Sequence, residues 1–230
     1  PNWYFQDENI WNVETDQGTY GKGEQIKANS FVASQNVKAI YIMNELPINK
    51  NFDATYGVRL EHATNNYTGQ NNLATIRYEN ERVLDELSIL PSINLVYRIN
   101  KEKTESKNKR ITNLRGAYTK TVARPSFREK SISQIYDPIQ GRRYNGNIDL
   151  LQTSIHNADL RYEYFFGRTE LISVSLFYKN FIEPIEMVSF NKAPREIQPI
   201  NSGQADLYGA EFEFRKAIGF KSKPHISFVL

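Results

Sequence analysis

The stretch from Lys120 to Phe166 decides how the rest of this chain is read. It opens as Lys-Thr-Val-Ala-Arg-Pro-Ser-Phe-Arg-Glu (Lys120 to Glu129) and continues as Tyr-Asp-Pro-Ile-Gln-Gly-Arg-Arg-Tyr-Asn-Gly-Asn-Ile-Asp-Leu (Tyr136 to Leu150). It closes as Asn-Ala-Asp-Leu-Arg-Tyr-Glu-Tyr-Phe-Phe (Asn157 to Phe166). In the closing piece Ala158, Leu160, Tyr162, Tyr164 and Phe166 fall on one side, and Asn157, Asp159, Arg161 and Glu163 on the other. Only a β-strand has that period of two. One side is aromatic, and the other carries charges of both signs that a packed core could take up only at a large desolvation cost. Two structures meet that demand: a soluble sheet covered on one side, and the wall of a membrane barrel around a wet lumen.

The same alternation recurs along the chain. A mixed strand over Asn36 to Leu46 leads through a short turn to Phe52, Ala54, Tyr56, Val58 and Leu60, which alternate with Asp53, Thr55, Arg59 and Glu61. Ile89, Ile93, Leu95, Tyr97 and Ile99 mark a further strand, and Leu114, Gly116 and Tyr118 oppose Asn113, Arg115 and Thr119 in the next. Beyond Phe166 come Ile172, Val174, Leu176 and Tyr178, then Tyr208, Ala210, Phe212 and Phe214 against Glu211, Glu213 and Arg215, then a turn near Lys221 to Pro224 and a final strand reaching Leu230. The polar segments His62 to Glu86, the central Lys120-to-Leu150 region and Phe181 to Gln204 read as long loops, whereas the other connections are brief. About eight strands joined alternately by short turns and long loops is the habit of outer-membrane barrels and is uncommon in compact soluble domains. The expected fold is therefore all-β: an antiparallel transmembrane β-barrel, present in part, which alone is an open curved sheet with edges prone to aggregation. Residues 1–35 read as an aromatic loop, placed outside the cell, with a strand starting at Gln25 to Phe31. Gly21 and Gly23 there read as a flexible turn, since Ile26 stands where a dinucleotide fingerprint needs its third glycine.

Composition narrows the function. With 29 basic and 26 acidic residues in 230, no single-signed surface points to nucleic acid, and none is expected as a partner. Cysteine is absent, which excludes disulfides and thiol catalysis and leaves the compartment open. No apolar run approaches the roughly 20 residues of a membrane helix, but a tilted strand crosses with about 9–11. His62, His156 and His225 lack metal-ligand spacing, and neither a nucleophile elbow nor a phosphate loop is present. The carboxylate pairs Glu211 with Glu213 and Asp159 with Glu163 fit a charged wet wall better than a glycosidase pair. No enzyme activity, metal or cofactor is expected. Arg59, Glu61, Arg115, Asp159, Arg161, Glu163, Glu211, Glu213 and Arg215 are read as lining the lumen. Binding residues concentrate on loops carried by rigid scaffolds, so Arg124, Arg128, Arg142, Arg143 and Tyr144 are the candidate contacts for an anionic ligand; the other reading has Arg124 and Arg128 brace the loop itself.

A family resemblance adds an identity that periodicity does not carry. Thr121-Val-Ala-Arg-Pro-Ser-Phe-Arg-Glu129, Tyr136-Asp-Pro-Ile-Gln-Gly141, Asn145-Gly-Asn147, Leu171-Ile-Ser-Val-Ser-Leu-Phe-Tyr-Lys179 and Tyr208-Gly-Ala-Glu-Phe-Glu-Phe214, with Ala39 to Glu61 and Leu90 to Asn94 upstream, resemble the barrel of TonB-dependent outer-membrane receptors. The resemblance covers nearly the whole chain after about Gln35. It implies an importer of about 22 strands, filled by a plug on which the inner-membrane TonB complex pulls, that takes up a scarce nutrient of the siderophore, cobalamin or glycan class. The chain shows no plug, no TonB-contacting segment and too few strands, so it is expected to be one internal part of such a barrel. Partners implied are outer-membrane lipid, the TonB complex through the plug, a small-molecule or glycan substrate, and in some members a surface lipoprotein. Two other readings stand beside it: a soluble β-sandwich that binds glycans, and a self-contained eight-stranded outer-membrane barrel with a structural or adhesive role.

Overall fold

The computed structural model describes residues 30–100, 110–137, 139–167, 169–217 and 225–229. Gly21, Gly23, most of the strand expected from Gln25, Pro138 and the turn at Lys221 to Pro224 lie outside them. Among the described residues every regular element is a strand. The eight that form the wall are β1 (Val32–Asn49), β2 (Phe52–Gln70), β3 (Arg77–Asn100), β4 (Ile111–Ala123), β7 (Thr153–Phe165), β8 (Leu171–Ile182), β11 (Gln204–Ala217) and β12 (His225–Val229). They pair antiparallel in the order β1-β2-β3-β4-β7-β8-β11-β12, a sheet that among the described residues is open at both ends. Four short strands, β5 (Gln134–Asp137), β6 (Arg142–Asn145), β9 (Ile185–Phe190) and β10 (Ala193–Asn201), form a second sheet in the order β5-β6-β10-β9.

The alternation reads out directly in solvent exposure. Ile40, Ile42, Leu60, Ile89, Leu160, Tyr162, Val174, Leu176, Tyr208 and Phe212 stand exposed on one face of the eight-stranded sheet, Ile42 at 72% and Tyr208 at 79%. The antiparallel registers Leu160 to Leu176 and Ala210 to Leu176 keep these residues side by side from strand to strand. An uncovered apolar face of this extent is far larger than the patches soluble monomers expose. It is the surface of a wall suited to hydrocarbon, and among the described residues no compact core takes up its aromatic side chains.

Three of the expected loops are corrected. His62 to Glu86 is mostly strand: β2 runs to Gln70 and β3 starts at Arg77, so the ladder continues for several residues past the last apolar pair. The alternation inverts there. His62, Thr64, Asn66 and Thr68 occupy the face that was apolar below, while Ala63, Asn65 and Tyr67 on the opposite face are at most 1% exposed. Hydropathy lost the strand because the surroundings change, although the backbone pairing does not. At 24 residues, β3 is about 80 Å long at roughly 3.3 Å per residue, well beyond what a membrane crossing needs. The central region and the Phe181-to-Gln204 segment are likewise not structureless; they supply β5 and β6, and β9 and β10.

The second sheet caps the charged face of the first. Its two contributing segments are held together by a parallel step, with Arg143 level with Glu196 and Tyr144 with Ile197. Asn147 donates to the Pro199 carbonyl at 3.1 Å, Gln198 to the Gly146 carbonyl at 3.2 Å, and Asn201 exchanges hydrogen bonds with the Leu151 backbone at 2.9 and 3.2 Å. Gly141 turns the β5–β6 hairpin at φ 62°, a left-handed position that favours glycine. Gly146 lies against the next segment so closely that a Cβ there would come within 2.3 Å of the Ser131 carbonyl oxygen.

Candidate functional site

The charged side of the wall is built by the same register that builds the apolar one. Arg115 and Arg161 are directly opposite on β4 and β7, an arrangement that by itself repels. Glu163 resolves it. One carboxylate oxygen accepts from Arg115 Nε at 2.9 Å and the other from Arg161 Nε at 2.9 Å. Arg161 reaches on to Ser175 Oγ at 3.0 Å and Glu213 Oε2 at 2.8 Å, and Arg215 Nε donates to the other oxygen of Glu213 at 2.6 Å. Serines keep the spacing: Ser173 is the register partner of both Glu163 and Glu213. The result is one chain of alternating charges, Arg115, Glu163, Arg161, Glu213 and Arg215, across four adjacent strands. Asp159 and Glu211 share its face, beside Phe177 and Lys179 in a shallow cavity of about 460 Å³.

A second cluster stands higher on the same face. Glu61 accepts from Arg59 Nε at 2.8 Å and also pairs with Arg124. Arg124 leaves the end of β4 and reaches past β3 to do so, which draws the start of the central segment inward over the charged face. Gln152 donates to Ser88 Oγ at 2.9 Å, Ile132 N to the Tyr67 hydroxyl at 3.4 Å, and Asn72 to Gln134 at 2.8 Å. The cap is thus fastened to the wall at both ends of the central segment.

The five loop residues singled out by the sequence do not converge on one pocket. Arg124 is bound to the wall, and the Arg128 guanidinium lies 4.6 Å over the Tyr144 ring. Arg143 pairs with Glu196 at 3.4 Å, and Arg142 is exposed on β6. Burial pushes the Tyr144 phenol up to about 12, the Glu129 charge adding to the rise and the Arg128 charge opposing it, so it remains a neutral group beneath Arg128.

Sequence reading missed the residue that organises the cap. Lys130 is 4% exposed, and its Nζ donates to the backbone carbonyls of Ile148 at 2.6 Å and Leu150 at 2.5 Å. Burial pushes its ammonium below the ordinary lysine range, while Asp149 and Glu86 pull the other way. A lysine in a polar run carries no signal of burial. The Ser-Ile-Ser spacing of Ser131 to Ser133, with both hydroxyls buried and 2.5 Å apart, is equally silent.

Replacing Glu163 by Gln is expected to lower the wall's stability by about 1 kcal/mol. The amide keeps one acceptor, but the facing pair Arg115 and Arg161 loses the charge between them. The second-site change Arg115→Gln should recover most of that loss in urea unfolding of the complete protein in lipid vesicles. Additive losses would show that Glu163 does not bridge the two arginines.

An open antiparallel wall with one apolar and one ionic face, capped on the ionic side by its own long connections, defines a segment of membrane β-barrel. The family model "TonB dependent receptor-like, beta-barrel" matches residues 2–226, and the chain belongs to that family. Solved structures share the fold at low identity. The siderophore receptor PirA from Pseudomonas aeruginosa aligns with a TM-score of 0.53 at 14% identity, over 86% of this chain and 43% of that one. A mutant ferric enterobactin receptor, PfeA, of the same organism gives 0.53 at 16%, over 79% and 24%. The copper transporter OprC gives 0.54 at 15%, over 80% and 26%. The chain therefore spans less than half the length of each of these proteins. No curated protein matches it in sequence.

Proposed function

We propose that this chain forms an arc of the wall of an outer-membrane receptor that takes up a scarce nutrient, with energy supplied through the TonB complex of the inner membrane. The observation that carries the reading is the two-sided wall: exposed Leu160, Leu176 and Phe212 turned one way, and the chain Arg115-Glu163-Arg161-Glu213-Arg215 turned the other. In such a barrel the ionic face lines the passage, where Arg59, Glu61, Asp159 and Glu211 join it. The cap sits at the external mouth, because the long connections of outer-membrane barrels are external.

The substrate is a scarce nutrient of the siderophore, cobalamin or glycan class; two of the neighbours named above are siderophore receptors and the third a copper transporter, which supports uptake of a nutrient without choosing among these classes. Arg142, exposed on the cap, and Arg128 over Tyr144 are the cap's candidates for an anionic ligand, whereas Arg124 and Arg143 are engaged with Glu61 and Glu196. Contact with TonB through a plug, and with a surface lipoprotein, belongs to the complete receptor. No catalytic role is assigned to any residue.

This chain has no cysteine, so once any cysteine elsewhere in the complete receptor is replaced by serine, single-cysteine labelling tests the assignment directly. In the complete receptor in native outer membranes, a spin label at Leu176→Cys is expected to be reached by oxygen and shielded from a water-soluble nickel chelate. A label at Thr119→Cys, on the ionic face, should show the reverse. Aqueous accessibility at both positions would overturn the reading of the wall.

A further inference from the structure

The apolar face ends at a set of basic side chains. On β1 and β2, Lys38 is the direct antiparallel partner of His62; on β4 and β7, Lys120 is the direct partner of His156. All four lie on the lipid-facing side, one pleat repeat beyond Ile40, Leu60, Tyr118 and Ala158. Both imidazoles are engaged sideways, His62 Nε2 with Asp85 at 2.6 Å and His156 Nδ1 with the Tyr118 hydroxyl at 2.7 Å. Arg82 stands beside the first pair, 2.8 Å from Asp85. Among the described residues neither Lys38 nor Lys120 has an acidic partner, and Asp206, the other acid on this face, is held by Tyr178 and Asn180 at 2.7 and 2.9 Å.

The ladders fix the relative positions of the two pairs. Thr119 is level with Ser92, Ser92 with Gly57, and Gly57 with Met43. Lys38 therefore stands about four residues further along its strand than Lys120 and about three strands away, roughly 13 Å by 14 Å at the usual rise and spacing. That is a slope of about 45°. The short turns away from the cap step the same way, Phe52 being level with Leu114 and Phe165 with Ile111, so a tilt of about 35–45°, usual for strands of membrane barrels, cancels the offset and brings both pairs close to one height. Two ammonium groups immediately above exposed apolar side chains, at a single level, match the plane in which lipid phosphates lie.

We propose that the Lys38–His62 and Lys120–His156 pairs are two headgroup sites, each binding the phosphate of an anionic lipid in the leaflet on the cap side. The proposal rests on the lipid-facing assignment of the wall. Its test uses the complete receptor in vesicles of phosphatidylcholine with or without phosphatidylglycerol, extracted gently and weighed intact by native mass spectrometry. The wild type is expected to retain phosphatidylglycerol in preference to phosphatidylcholine. Each lysine near an anionic surface contributes about five-fold, so the double variant Lys38→Gln, Lys120→Gln should lose about 25-fold of that preference. Equal retention by wild type and variant overturns the sites. A fluorophore at Leu160→Cys, quenched by brominated acyl chains, separates the two layers of the argument. Quenching with unchanged lipid preference sinks only the headgroup sites; absence of quenching sinks the wall assignment and the sites with it.

Discussion

Arginine in place of Leu160 is expected to destabilise the folded receptor in a bilayer by about 2–4 kcal/mol, the cost of a cation on the lipid face near the midplane. Leu160 is 48% exposed and level with Leu176 on β8 and Gly116 on β4, two pleat repeats below the Lys120–His156 boundary. Among the described residues no neighbouring carboxylate on that face can receive the new charge, because Glu163 and Asp159 point the other way. The same substitution at Thr119, on the ionic face, should cost less than about 1 kcal/mol, since a lumen-side charge stays hydrated. Urea titration of the complete receptor in vesicles, followed by the shift of the folded band on unheated gels, reads both values. Similar costs at the two positions would mean that the faces do not meet different solvents.

The second large effect is expected at Lys130. Methionine there keeps the length and apolar stem of the side chain but leaves the carbonyls of Ile148 and Leu150 without their donor in a buried place. Each orphaned carbonyl costs about 1–3 kcal/mol, so the cap should open more readily by about 2–6 kcal/mol, while the wall, whose ladders do not involve Lys130, is unchanged. Hydrogen exchange should therefore accelerate over Ser126 to Leu150 and stay constant over β7 and β8. Uniform acceleration would show that cap and wall unfold as one. The pH dependence has a definite sign. Burial holds the folded-state value of Lys130 below the ordinary 10.5, so between that lowered value and 10.5 the open form binds more protons, and cap stability rises with pH through that window. The methionine variant should lack this rise.

How much of this was legible beforehand differs between elements for physical reasons. The Asn157-to-Phe166, Phe52-to-Leu60, Ile172-to-Tyr178 and Tyr208-to-Phe214 strands were plain, because each side of those segments meets one solvent throughout and hydropathy therefore keeps the strand's period. Where a strand leaves that environment the signal fails. His62 to Gln70 continues the β2 ladder, but its outward residues are polar and its inward ones are sealed beneath the cap, so the pattern inverted and looked like a loop. The charged face was also plain, since Arg161, Glu163, Glu211 and Glu213 alternate with aromatics. Their pairing was not: Glu163 and Glu213 are far apart in the chain, and both come to Arg161 only through the register of β7, β8 and β11.

Sequence by itself settled that this is a strand-built wall with one apolar and one ionic side, and its motifs indicated the receptor family. Both are local properties, carried by alternation within about ten residues or by short runs of matching side chains. Tertiary structure decided what depends on residues distant in the chain: that two loops fuse into one cap through β6 and β10, that Arg124 draws it down onto Glu61, and that Lys130 is sealed inside it. It also decided that Lys38 and Lys120 share a level, because height on a tilted wall is fixed by ladder register and strand order together, neither of which is written in any single segment.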